Sequence, residues 1–147
     1  MASVSVGGRE VGRCGPGLLL LVGIHREDAE AEAKQLADRV MGLRIFNDPQ
    51  GKMNLSIRDF PQTRGGFELE ILAVSNFTVY GDAKSRRPSF TASAGFEQGR
   101  ALFDRFVEEV RLLGGSIQTG EFGADMRVSL VNDGPVTLVV DVEAKRE

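Results

Sequence analysis

The hydroxyls of Ser75, Thr78, Ser89, Thr91 and Thr137 fall in irregular, glycine-containing stretches, beside Gly81 and Gly134. Ser, Thr and Gly are also what ordinary loops contain, so the types alone mark only where hydroxyls and backbone N–H groups can converge. The chemistry open to such a cluster is stabilisation of an oxyanion in acyl transfer, which preorganised donors supply without any titrating group. An activated ester suits it better than an amide, because the ester's leaving group needs less help. Other constellations lack members. His25 is the only histidine and Cys14 the only cysteine, too few for a Ser/His/Asp triad, a histidine metal site or a Cys-rich zinc site. Cys14 reads as a structural thiol, and His25, at a strand-to-helix junction, as a surface or capping residue. The sequence holds no P-loop, dinucleotide fingerprint, paired-histidine helix or Gly-x-Ser-x-Gly elbow. Its Asp/Glu-dense regions lie at solvent-facing helical spacings, and no glycosidase-like carboxylate pair stands out.

The elements that must position these residues follow from periodicity. Val4, Val6, Gly7-Gly8 and Val11 predict a hairpin, and Gly15-Pro16-Gly17 a turn. Residues 18–24 are apolar on both faces, as in a central strand covered on both sides or a strand within a barrel. Glu27 and Asp28 open a helix, where negative charge complements the dipole, and its apolar face is Ala29, Ala33, Leu36, Val40 and Leu43. Strand character at 43–46 precedes the turn Asn47-Asp48-Pro49-Gln50-Gly51, a polar loop covers 59–66, and 69–74 returns to strand. Residues 75–93 are neither helical nor alternating, and long irregular segments in compact domains are often functional. Ser93 is read as the N-cap of a second helix with the face Phe96, Phe103, Phe106, Val110 and Leu113, ended by Gly114-Gly115. Met126, Val128 and Leu130 alternate, Asn132-Asp133-Gly134-Pro135 interrupts, and Val136, Leu138 and Val140 alternate again. Pro135 then sits at a strand end, bulge or edge. The expected fold is α+β: a curved, partly closed β-barrel-like sheet with two main helices.

At 147 residues, with 41% hydrophobic and 27% charged residues and no repeat or linker, the chain reads as one domain, 1–147. That size is sufficient to fold without a metal or disulfide staple. The longest apolar run, 18–24, is far short of the ~20 residues that span a bilayer, and the start lacks the pattern of a signal peptide. A cytoplasmic protein without membrane partners is expected. The net charge of −3 argues against a general nucleic-acid coat. It leaves room for a local basic patch, and Lys84, Arg86 and Arg87 stand together against Asp82 alone, an arrangement also typical of a solvated loop.

Two segments carry a resemblance. Ser75-Asn76-Phe77-Thr78-Val79-Tyr80-Gly81-Asp82, followed by Arg86-Arg87-Pro88-Ser89-Phe90, and Asn132-Asp133-Gly134-Pro135-Val136-Thr137 resemble the two signature segments of the D-aminoacyl-tRNA deacylases. Gly15-Pro16-Gly17-Leu18-Leu19, Leu43-Arg44-Ile45-Phe46, Gly51-Lys52-Met53-Asn54 and Thr119-Gly120-Glu121-Phe122-Gly123-Ala124 are similar to family segments in the same order, so the likeness runs over about residues 3–141. It implies the family's α+β fold and a homodimeric hydrolase without metal or organic cofactor. Such an enzyme cleaves the ester joining a D-amino acid, or mischarged glycine, to the 3′ end of tRNA.

The resemblance also implies site residues. Ser75, Asn76, Phe77 and Thr78 form the catalytic segment, with oxyanion contacts from backbone amides around Asn76 and Phe77 and with Thr78 at the reacting ester. Gly134, Pro135, Val136 and Thr137 bind substrate, the Gly-Pro pair being cis and crossing into the partner's pocket, where main-chain carbonyls hold the α-amino group and exclude L side chains. Lys84, Arg86 and Arg87 become candidates for acceptor-stem phosphates. A lone threonine with no base beside it is a weak nucleophile, so the 2′-hydroxyl of the terminal ribose is the better candidate for assisting the reaction. The chain departs from the pattern at Asn76, where the family usually has glutamine. It is also expected to lack a strand, carrying an arginine, with which family members begin. Two other readings stay open: a catalytically silent tRNA- or nucleic-acid-binding module of the same fold, and an editor of small L-aminoacyl esters.

Overall fold

The computed structural model describes residues 1–60 and 69–144, so the expected loop at 59–66 lies, beyond Phe60, outside the described residues. In chain order the strands are β1 (Ala2–Val6), β2 (Arg9–Cys14), β3 (Gly17–Val22), β4 (Phe46–Asn47), β5 (Met53–Leu55), β6 (Glu70–Ser75), β7 (Ile117–Thr119) and β8 (Arg127–Leu130). Helix α1 (Glu30–Gly42) lies between β3 and β4, and α2 (Phe96–Leu112) between β6 and β7; Ile57–Asp59 and Phe77–Tyr80 are short 3-10 turns. No helix among the described residues is long and apolar enough to cross a membrane.

The architecture is built around β6. Ile71 and Ala73 point to one side, Leu72 and Val74 to the other, and all four are buried. A strand apolar on both faces has to be covered on both. On the first side, Ile71 and Ala73 join Ala33, Ala37 and Met41 of α1 and Phe103, Phe106 and Val110 of α2 in the main core. On the second, Leu72 and Val74 pack against Ala2, Val4 and Cys14 of the hairpin. The result is three layers: an antiparallel sheet in the order β2-β1-β8, a parallel sheet β3-β6-β7 and the helix pair, with β4-β5 as a separate ribbon.

Several expectations are corrected. The strands do not close into a barrel. Where β2 passes β7, Gly12 comes so near that a Cβ would stand 2.4 Å from the Thr119 carbonyl oxygen, and the Arg13 N–H donates to the Gln118 side chain at 2.9 Å. The contact is made by close approach and a side chain instead of a shared ladder. The doubly covered strand is β6, whereas 18–24 yields an edge strand whose Leu21 is half exposed. Helix α1 starts after Ala29, whose N–H donates to the Glu32 carboxylate at 2.7 Å; of the expected face it buries Ala33 and Val40, and beside them Ala37 and Met41, which that face did not include. Helix α2 is capped by Gly95, not Ser93, and Phe96 is exposed at its start, edge-on to Phe122. The strand expected at 43–46 appears as the β4-β5 ribbon across the turn. The alternation at 136–140 produces no strand, and Val139 is 93% exposed.

A groove of about 1200 Å³ runs between β3 and the C-terminal segment. Leu18, Leu20 and Val22 of β3, Leu36 and Val40 of α1 and Val136, Leu138 and Val140 are in its lining.

Candidate active site

The first signature segment begins where β6 ends. Asn76 continues the ladder by one bond, its N–H donating to the Val22 carbonyl at 2.9 Å. Its side chain then caps the following turn: Asn76 Oδ1 accepts from the Thr78 N–H at 3.2 Å and from Thr78 Oγ1 at 2.6 Å. This is the usual work of asparagine at a turn start, where its short amide reaches the free N–H groups. Val79 N–H donates to the Asn76 carbonyl at 3.2 Å and Gly81 N–H to that of Thr78 at 2.9 Å.

The N–H groups of Asn76, Thr78 and Val79 are taken, and among the described residues none accepts from Phe77 N–H. Of the amides expected to face an oxyanion, Phe77 keeps its donor while Asn76 has spent its own in the ladder. Ser93 fixes this peptide from outside, its Oγ donating to the Phe77 carbonyl at 2.7 Å. Expected as a helix cap, Ser93 instead helps hold the site, a role its sequence position did not reveal.

Thr78 donates its hydroxyl proton to a neutral amide oxygen, and an amide is no general base. No group here raises it above an ordinary alcohol. Phe77, Val79 and Phe90 are 58%, 49% and 39% exposed, and the Phe77 and Phe90 rings meet edge-to-face at 5.3 Å. They form an apolar rim at the turn.

The second segment is a self-clasped loop. Asn132 Nδ2 donates to Thr137 Oγ1 at 2.8 Å and Asn132 Oδ1 accepts from the Val136 N–H at 3.0 Å. The enclosed Gly134-Pro135 peptide is cis. Gly134 has φ +140°, a region L side chains rarely adopt, and a Cβ there would meet Val136 Cγ2 at 3.0 Å and Val136 N at 3.1 Å. The loop is exposed throughout, and Val136 and Leu138 leave apolar surface in solvent.

Between the segments, Asp82 and Ser89 exchange backbone hydrogen bonds of 2.7 and 2.9 Å, closing a loop that carries Lys84, Arg86 and Arg87. All three are exposed. Ion pairs among the described residues lie elsewhere, at Arg13–Glu10 and at Arg105 with Glu30 and Glu109.

His25 and Cys14 sit apart from this chemistry. His25 Nδ1 accepts from the Glu27 N–H at 3.0 Å, and its own N–H donates to Asp28 Oδ2 at 2.8 Å, so the residue organises the entry to α1. Burial raises the Asp28 carboxyl above its ordinary range, against the opposing His25 hydrogen bond. Cys14 is buried in the hairpin core and its thiol is pushed up by desolvation, the setting of an unreactive cysteine. Among the described residues no three His, Cys, Asp or Glu side chains gather to hold a metal ion.

The match that decides the family covers nearly the whole chain: residues 1–141 fit the profile described as D-Tyr-tRNA(Tyr) deacylase. The chain belongs to that family. It is 52% identical over 143 residues to a D-aminoacyl-tRNA deacylase of Symbiobacterium thermophilum, an alignment covering 97% of this chain and 90% of the relative. A D-aminoacyl-tRNA deacylase of Pelobacter propionicus is 52% identical over 141 residues, covering 95% and 92%. Among solved structures, the "c-Myc DNA Unwinding Element Binding Protein" superposes with TM-score 0.86 at 36% identity, covering 97% of this chain and 93% of that one. A "probable eukaryotic D-amino acid tRNA deacylase" superposes with TM-score 0.69 at 19% identity, 87% of each chain, a likeness of fold. Family membership thus places both signature segments inside the matched region.

Proposed function

We propose that this chain is a D-aminoacyl-tRNA deacylase, hydrolysing the ester between a D-amino acid, or glycine, and the 3′ end of tRNA. The observation that carries the reading is the capped turn at 76–78, where a free Phe77 N–H and the Thr78 hydroxyl share an apolar rim within a family-matched chain. Water adds to the ester carbonyl carbon, and the negative charge that develops on its oxygen is met by the Phe77 N–H. The bond to the ribose 3′-oxygen then breaks, that oxygen takes up a proton, and the free amino acid and tRNA leave. The 2′-hydroxyl of the ribose assists the proton transfer. The protein contributes position and fixed dipoles, terms that can be large without a titrating side chain.

In this reading Ser75, Asn76, Phe77 and Thr78 shape the reacting end, while Gly134, Pro135, Val136 and Thr137 of one subunit enter the pocket of a second. The self-clasped, exposed form of that loop and the apolar side chains around it support a homodimer. Lys84, Arg86 and Arg87, held outward without carboxylate partners, suit acceptor-stem phosphates.

The test is to incubate the purified protein with D- and L-tyrosyl-tRNA and follow ester loss. Hydrolysis of the D ester well above the L ester is expected. Equal rates, or tRNA binding without turnover by a folded chain, would favour the silent module over the enzyme.

A further inference from the structure

We propose that Tyr80 and Asp141 form a strap that sets where the Gly134-Pro135 loop sits relative to Thr78, which makes Tyr80 a positioning residue for deacylation. The C-terminal segment after β8 has no helix or strand of its own through residue 144. It is tied down at its start by the Val131 N–H, which donates to the Met1 carbonyl at 2.9 Å. The Asn132 clasp that follows is internal to the loop, and Val139 is almost fully in solvent. The chain is gripped again at Asp141. There the backbone carbonyl accepts from Arg39 Nη1 of α1 at 2.8 Å, and Oδ1 accepts from the Tyr80 hydroxyl at 3.4 Å; Val142 beside it is buried.

Tyr80 closes the same 3-10 turn that carries Phe77 and Thr78. Its ring lies over Gly23, where a Cβ would stand 3.1 Å from Cδ2, and meets the His25 ring at 5.2 Å near perpendicular. The ring therefore has little room to swing away. Burial, helped by the charges of Asp141, Asp28 and Glu143, pushes the phenol up to about 12, so the hydroxyl stays a donor toward the Asp141 carboxylate. One hydroxyl thus joins the turn at the reacting ester to the far end of the strand of chain that presents the loop. Arg39 holds the backbone of Asp141 independently, so Asp141 is fixed from the helix and from the site at once.

The strap rests on the deacylase reading, so its test pairs kinetics with a readout that needs no substrate. Tyr80→Phe keeps the ring and removes the hydroxyl; Asp141→Ala removes the acceptor; Asp141→Asn keeps an acceptor oxygen. Tyr80→Phe and Asp141→Ala are each expected to lower kcat/KM on D-tyrosyl-tRNA about fivefold and to speed amide hydrogen exchange at Val136, whose N–H is the hydrogen-bonded one within 132–140 among the described residues, with the melting temperature near that of the parent chain. Asp141→Asn is expected to restore most of both, and the double variant Tyr80→Phe/Asp141→Ala to be no worse than the worse single one. Unchanged exchange at Val136 in both single variants overturns the strap, whatever the activity. So do losses that multiply in the double variant. An inactive parent chain would count against the deacylase reading alone, since exchange still decides the strap.

Discussion

The two halves of this molecule are held by different forces. Around β6 the positions are set by burial: Ile71, Phe106 and Val110 are shut off from water between a sheet and two helices. In the segments 76–91 and 131–142 little is buried, and position comes from short polar clasps: Asn76 on Thr78, Ser93 on Phe77, Asn132 on Val136 and Thr137. Packing is cooperative and tolerates no local failure, since each side chain fills space its neighbours need. Clasps are local, and each can fail without unfolding the rest. The division suits a site that uses backbone dipoles, because donors have to face outward while something else keeps the chain folded.

In the buried half a single truncation is expected to cost stability first. Phe106→Ala removes a fully buried ring at the helix-sheet contact and is expected to cost about 3–5 kcal/mol of stability. Denaturant unfolding measures it, and activity should vanish only as the fold does. A loss under about 1 kcal/mol would mean that the helix layer is not what carries the fold.

In the clasped half the expected pattern is the reverse, with activity lost and stability kept. Gly134→Ala puts a Cβ at φ +140° against Val136, shifting the loop. A misplacement on the order of 1 Å at a catalytic site costs about 100-fold in rate, so kcat/KM on D-tyrosyl-tRNA should fall by that order while unfolding stays near that of the parent. His25→Ala, which removes the acceptor for the Glu27 N–H at the entry to α1 and the ring edge-on to Tyr80, should cost less than about tenfold, in line with the loss of one local hydrogen bond and one ring contact. A larger loss at His25 than at Gly134 would overturn the account of a site made of backbone.

The same division explains what the residues disclosed in advance. The helices, the hairpin and β8 were legible because burial writes a periodic pattern, as in Ala33, Val40, Phe103, Phe106 and Val110. The pattern says that a strand is apolar on two faces, but not which neighbour covers it, so 18–24, expected at the centre or within a barrel, lies at an edge while β6 takes the centre. The barrel expectation failed for a related reason: closure depends on edge amides such as that of Arg13, which a Gln118 side chain occupies. Alternation at 136–140 looked like a strand, yet alternation makes one only if a ladder partner is present. Clasps leave no periodicity at all. Asn76 and Ser93 are polar residues before a turn and a helix, and only the folded chain tells which N–H or carbonyl each one engages. The signature segments were legible through their likeness to a family, not through physics.

The loop between the segments bears on whether the clasped half also handles charge. Lys84, Arg86 and Arg87 project from the Asp82–Ser89 closure and are not paired with carboxylates among the described residues. If they meet phosphates, neutralising them reduces the number of counterions released on tRNA binding. Each lost phosphate contact changes the slope of log affinity against log salt by about 0.7–0.9. The triple variant Lys84→Gln/Arg86→Gln/Arg87→Gln should therefore bind tRNA about tenfold more weakly at moderate salt, with a slope shallower by about 2 to 3. Because the Asn76 and Asn132 clasps are untouched, hydrolysis at saturating substrate should be retained. A variant with the parent's salt slope would return these residues to the role of an ordinary solvated loop, and would place whatever electrostatic contact tRNA makes with this acidic chain on another face.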